Sequence, residues 1–197
     1  MPKNEDLHGN APDKSEVVLL IIDMISDFEF GSGDKLLPFA EEIAKNIAAL
    51  KKKAEKAGVA VVYVNDNFGK WRSDFTKQLK HSQSKSVRGH KIARLLAPKK
   101  EDYFVLKAKH SAFYSTTLDL LLAYLGAKTL VLTGVASDIC ILFTANDAYM
   151  RDFNLFVPRD CVAANEERTN ESTLEYIERV LKADIKPSTE IDFKKMQ

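Results

Sequence analysis

The stretch LVLTGVASDICILFTANDAYM, residues 130–150, decides the fold. Its first part is apolar, β-branched and uninterrupted, as a strand buried on both faces of a parallel sheet must be. Its last part spaces apolar residues as a helix does. Between the two stand Gly134, a run of small residues and Cys140. A strand passing directly into a helix is half of a βαβ unit, so the segment predicts an α/β protein. It also sets a thiol where a helix begins, in a chain with only two cysteines.

Working outward, short apolar runs predict strands at 17–22, 59–64, 103–106, 129–133, 155–157 and 183–185. Helical patterns fall between them at 38–57, 90–96, 116–125, 139–151 and 166–181. The clearest is LLPFAEEIAKNIAALKKKAEKAG, with Pro38 near its start and Gly58 just past its end. Such alternation implies right-handed crossovers and a sheet covered by helices on both faces. Residues 1–15 and 187–197 lack any periodic pattern and read as polar tails on a single domain. The loops after the first two strands, MISDFEFGSGDKLL and NDNFGKWRSDFTKQLKHSQSKS, are longer than a crossover needs. Long loops of that kind usually serve function.

A chain of 197 residues with 45% hydrophobic and 29% charged residues has the make-up of an ordinary soluble domain. A net charge of +1 gives no reason to expect nucleic acid or an anionic membrane as partner. The triple Lys51-Lys52-Lys53 reads as the solvated face of a helix. Two cysteines cannot form a disulfide framework at this length, so free thiols are expected. The first 16 residues are polar, with no apolar core of a signal peptide, and VVLLII is too short to span a bilayer. The expected location is the cytoplasm.

In open α/β sheets, ligands bind at the carboxyl ends of the strands. Asp23 directly follows VVLLII, Lys107 directly follows YFVL, and Cys140 opens the helix after LVLTG. Taken singly, the Asp reads as a turn former, the Lys as solvated and the Cys as a small buried hydrophobe. Their coincidence at one end of one sheet is what points to a nucleophilic site. A helix N-terminus is expected to lower the thiol's pKa, and its N–H groups to hold an oxyanion. Cys161, in VPRDCVAANEE, has no immediate helix start and reads as structural.

FGSGD does not make a dinucleotide loop, because its glycines lie too far beyond the first strand; Asp66, where such folds place a ribose-binding acid, therefore has no assigned role. His8, His81, His90 and His110 show no ligand spacing, so neither metal nor cofactor is expected. Phe28, Phe30, Phe68 and Trp71 lie in the two long loops and suggest the cover of a small-molecule pocket. Phe28, Trp71 and Phe113 are the candidate pocket residues. Trp71 leads, because Arg72 and Asp74 beside it could add a charged contact.

Four stretches then resemble the isochorismatase-like cysteine hydrolases: LLIIDMISDF, RGHKIARLLAPKKEDYFVLKAKHSAF, STTLDLLLAYLGAKT and LVLTGVASDICILFTANDAYMRDFNLFVPRD. The resemblance runs from about residue 17 to 160 and more weakly through the next helix. It implies a three-layer α/β/α sandwich, Rossmann-like, whose six-stranded parallel sheet has the order 3-2-1-4-5-6. By position it makes Asp23, Lys107 and Cys140 a catalytic triad. It also implies a cis peptide between Val135 and Ala136 that aims the Ala136 N–H beside that of Cys140, as an oxyanion hole. A homodimer or homotetramer is implied as well.

The departures from the family carry information. Nicotinamidases of the family place an Asp and two His as metal ligands in the loop after strand two, and VNDNFGKWRSDF has no histidine. Cys161 stands where an Ala often follows the strand-five Asp. Members named for isochorismate cleavage do not require the cysteine. The chain is therefore expected to be a metal-independent hydrolase of a small amide, carbamoyl or ureido C–N bond, working through a thioester. The alternatives are a vinyl-ether hydrolase using Asp23 alone, and a non-catalytic binding or oligomerisation module.

Overall fold

Every residue of Val17–Ile22 (β1) is buried, because the strand runs along the middle of a parallel sheet with helices on both faces. Val17, Leu19 and Ile21 join one core cluster and Val18, Leu20 and Ile22 the other, as a period of two requires. Each such side chain contributes about 1.5–3 kcal/mol by leaving water. The computed structural model describes residues 14–69, 71 and 74–196.

The remaining elements follow in chain order: α1 (Gly33–Lys56), β2 (Ala60–Asp66), α2 (Phe75–Ser82), α3 (His90–Leu95), β3 (Tyr103–Lys107), α4 (Leu118–Leu125) and β4 (Thr129–Val135). A π-helical turn, Ser137–Ile141, leads into α5 (Leu142–Tyr149). Then come β5 (Asn154–Phe156), β6 (Val162–Ala163), α6 (Glu167–Leu181) and α7 (Phe193–Met196). The strand order is β3-β2-β1-β4-β5, with β6 added to the end of β4, and all pairs are parallel. On one face α1 lays down Leu36, Ala40, Ile43, Ala44, Ile47 and Leu50, a helical stripe, joined by Ile92 of α3 and Phe193 of α7. The other face is covered by α4, α5 and α6 through Leu122, Ala145 and Ile177. This is the three-layer sandwich that the resemblance implies.

The sixth strand differs from expectation. Residues 183–185 keep one parallel bridge, Asp184 to Phe156, at the outer side of β5. The strand proper is β6, which pairs with Gly134 and Val135 at the end of β4. Pro158 has no N–H to continue β5, and the 3₁₀ turn Arg159–Cys161 carries the chain over to β4.

Residues 187–197 are not simply a tail. Ser188 donates its N–H and its hydroxyl to the Asp160 carboxylate, both at 2.7 Å, and Ile191 and Phe193 are buried beyond it. Residues 1–13 of the other expected tail, with His8, lie outside the described residues, while Ser15 is buried. Helix α2 lies inside the second long loop, started by Asp74, whose carboxylate accepts the Lys77 N–H at 2.8 Å. Lys51 is not solvated: its ammonium is buried 2.6 Å from Asp102 and 3.0 Å from the Tyr63 hydroxyl. Among the described residues no helix is long and apolar enough to cross a membrane.

Candidate active site

The register of the sheet brings four strand ends together. Ile22 lies opposite Val64 on one side and Gly134 on the other, and Asp66 lies opposite Lys107. At Gly134 the two central strands come so close that a Cβ would lie 2.0 Å from the Ile22 carbonyl oxygen. Its φ of +117° also excludes other residues. Glycine there lets the end of β4 approach β1.

Asp23 turns off β1 with φ 55° while its N–H still donates to the Val64 carbonyl at 2.8 Å. Its Oδ1 accepts the Asp66 N–H at 2.7 Å, which fixes the carboxylate plane. Its Oδ2 lies 2.8 Å from Lys107 Nζ. Lys107 reaches across β2 from β3, its side chain wholly buried, and its ammonium donates to Cys140 Sγ at 3.4 Å. Asp23, Lys107 and Cys140 therefore meet, as the sequence suggests. Cys140 sits in the π-helical turn ahead of α5, and the Val135–Ala136 peptide leading to it is cis.

Asp66 is the member that sequence reading leaves out. Its Oδ2 lies 3.6 Å from Lys107 Nζ, so two carboxylates share one ammonium. The signal that could have found it is its place at the end of the second strand, beside the end of the first. Burial pulls the Lys107 ammonium down, but Asp23, the Cys140 sulfur and Asp66 outweigh it, and the net direction is up. For Cys140 the expectation of a lowered pKa is overturned. Burial, then the charge of Asp23, push the thiol up to about 12, although Lys107 pulls it the other way. A shift in that direction favours the protonated thiol beside the Asp23 carboxylate. Cys161, wholly buried beside Asp160, is likewise pushed up to about 12, mainly by burial.

A cavity of about 290 Å³ opens over Asp23, Asp66 and Cys140. Phe28 lines it, as expected, together with Phe30, Leu36, Phe68, Ile139 and, unforeseen, His110. Trp71 and Phe113 do not. The Phe68 N–H donates to Asp66 Oδ1 at 2.6 Å, folding the chain back just after β2, so Phe68 reaches the cavity and Trp71 stays 79% exposed. Arg72 lies outside the described residues. Phe113 is turned into the α4–α6 layer by its N–H bond to Ser111 Oγ, and packs under the Arg151 guanidinium at 4.6 Å from its ring centre. Larger clefts, of about 600 and 780 Å³, lie at the opposite end of the sheet and beside β5, and neither touches a cysteine. Among the described residues no three His, Cys, Asp or Glu side chains gather as a metal site, and Asn67 and Phe68, not histidines, follow Asp66.

A model of the Isochorismatase domain matches residues 17–184. The chain is 41% identical over 180 residues to the uncharacterized isochorismatase family protein YaaI of Bacillus subtilis (strain 168), covering 90% of this chain and 97% of that one. It is 28% identical to enterobactin synthase component B of Escherichia coli (strain K12), covering 90% of this chain but only 64% of that relative's length. Among solved structures, N-carbamoylsarcosine amidase from Thermoplasma acidophilum superposes with a TM-score of 0.70 at 29% identity, over 90% of this chain and 99% of that one. The glycine that draws β4 onto β1, and the Asp, Lys and Cys gathered there, thus sit in a framework shared along nearly the whole matched length, and the chain belongs to the isochorismatase family of hydrolases.

Proposed function

We propose that the protein hydrolyses the C–N bond of a small amide, carbamoyl or ureido compound through a thioester on Cys140. The observation that carries this reading is the contact of one buried ammonium with both a carboxylate, at 2.8 Å, and a thiol, at 3.4 Å. The likeness to N-carbamoylsarcosine amidase supports the bond type.

Cys140 Sγ attacks the carbonyl carbon as Asp23 takes the thiol proton, so a neutral thiol pushed up to about 12 becomes a thiolate only in the act. Lys107, held beside both groups, favours the new negative sulfur. The N–H groups of Ala136 and Cys140 hold the oxyanion, a role worth roughly 3–4 kcal/mol per donor. As the tetrahedral species collapses, the C–N bond breaks and the amine leaves with the proton from Asp23. The carboxylate then takes a proton from water, and the hydroxide attacks the thioester. The C–S bond breaks, the acid departs, and the sulfur recovers its proton. The sum is one water added and one amine or ammonia released.

A screen of small amides, ureas and carbamates for ammonia release, with acid-quenched peptide mapping, tests the reading. The expected result is turnover with an acyl group on the Cys140 peptide. Turnover in which no acyl group ever appears there would sink the thioester route.

A further inference from the structure

We propose that the cavity selects small amides carrying no negative charge, and that Asp66 is the residue that sets this preference; the inference rests on the amidohydrolase reading above. Two carboxylates face one ammonium. Lys107 is 2.8 Å from Asp23 and 3.6 Å from Asp66, so one negative charge is left over. Moving the thiol proton to Asp23 during attack does not change that total. The Asp66 side chain is the more open of the pair, 29% exposed against 12%, so the excess charge stands at the cavity wall.

A second observation points the same way. Asn165 lines the cavity, and its side-chain carbonyl oxygen, withdrawn from water, has no hydrogen-bond partner among the described residues. A buried acceptor without a partner is costly, so a ligand N–H that reaches it is favoured over a second acceptor. Around these acceptors the wall is aromatic and aliphatic, through Phe28, Phe30, Leu36 and Phe68. His110, the remaining ring, leans on Phe143 at 5.5 Å between centres. Among the described residues no arginine or lysine lines this space, Lys107 being wholly buried behind Asp23. A ligand with N–H donors and an apolar body fits. A carboxylate would meet Asp66, with the nearest cation already engaged behind Asp23.

Three amides of similar size separate the possibilities: 3-methylbutanamide (neutral), 3-aminopropanamide (cationic) and succinamate (anionic). Two readouts are taken, kcat/KM for ammonia release by the wild type and ligand-observed NMR titration of the Cys140→Ala protein, which needs no turnover. Succinamate should fall at least about tenfold below the neutral amide in both, and the cationic amide should not. Asp66→Asn should bring succinamate to within about threefold of the neutral amide. Asn165→Asp, which touches no ion pair, should widen the gap. The ranking in binding without any turnover would leave the preference standing and remove simple amides from the hydrolytic reading. Succinamate equal to the neutral amide, an unchanged ratio in folded Asp66→Asn, or no binding of any of the three would overturn the proposal.

Discussion

Lys107 Nζ lies 2.8 Å from Asp23 Oδ2 with no part of the lysine side chain exposed. A cation so placed is tolerable because its partners are held in place by the backbone. Asp23 is held by the Asp66 N–H, and both carboxylates sit at strand ends set by the sheet register. The same pair that would run the chemistry therefore also bears on stability.

Removing the ammonium should unfold the site as well as silence it. Lys107→Ala leaves two carboxylates facing each other without a counter-charge, and loss of one partner of a buried pair costs about 3–5 kcal/mol. Urea denaturation measures this. A loss below about 1 kcal/mol would mean that water already screens the pair.

Stability should fall as the solution becomes alkaline. An unfolded chain gives up its thiol protons near about 8.5, whereas burial holds both thiols up to about 12 in the fold. Between those values the unfolded state binds fewer protons, so stability declines with rising pH, by about 1.4 kcal/mol per unit for each thiol. Lys107, also raised, adds to the decline above its ordinary value. Melting temperature followed from pH 8 to 11 checks this, and Cys161→Ala should make the slope shallower. A flat profile would show that the thiols are not held neutral.

The cavity wall is assigned to Phe68 and not to Trp71. Phe68→Ala should raise KM for the best amide found, with little change in melting temperature, because Phe68 touches the cavity and is itself 40% exposed. Trp71→Ala should alter stability by no more than about 0.5 kcal/mol and leave the kinetics alone. The reverse pattern would restore Trp71 to the pocket.

Activity should survive exhaustive chelation. Where the metal-binding relatives are expected to place histidines after the second strand, this loop carries Phe68 behind Asp66, and Asp66 already faces Lys107. Activity that vanished on chelation and returned with zinc or manganese would contradict this.

How far the sequence reached depended on the kind of signal. Buried parallel strands announce themselves as unbroken apolar runs, and β1 is found at its observed ends. Asp23, Lys107 and Cys140 each directly follow, end or lead from such a run, so they too were legible. Asp66 was not assigned a role, because its neighbour across the sheet is a register property that local pattern does not carry. Helix α2 was not read because two of the three side chains it buries, Gln78 and Ser82, are polar, so no apolar stripe marks it. Phe113 and Trp71 failed for a shared reason: a loop aromatic points wherever the local turn sends it, and those turns are set by Ser111 and by Asp66. The Cys140 pKa was misjudged because the helix-start argument ignores desolvation, here the largest influence.

The most direct test of the account is the rate of ammonia release by Cys140→Ala measured beside Cys161→Ala, with equal melting temperatures confirming that both are folded. Cys140 touches Lys107 at the cavity, whereas Cys161 is wholly buried at Asp160. Cys140→Ala should lose at least about a thousandfold in kcat while Cys161→Ala stays near wild type. A folded Cys140→Ala protein that turns over within about tenfold of wild type would contradict it, leaving Asp23 to act without the thiol.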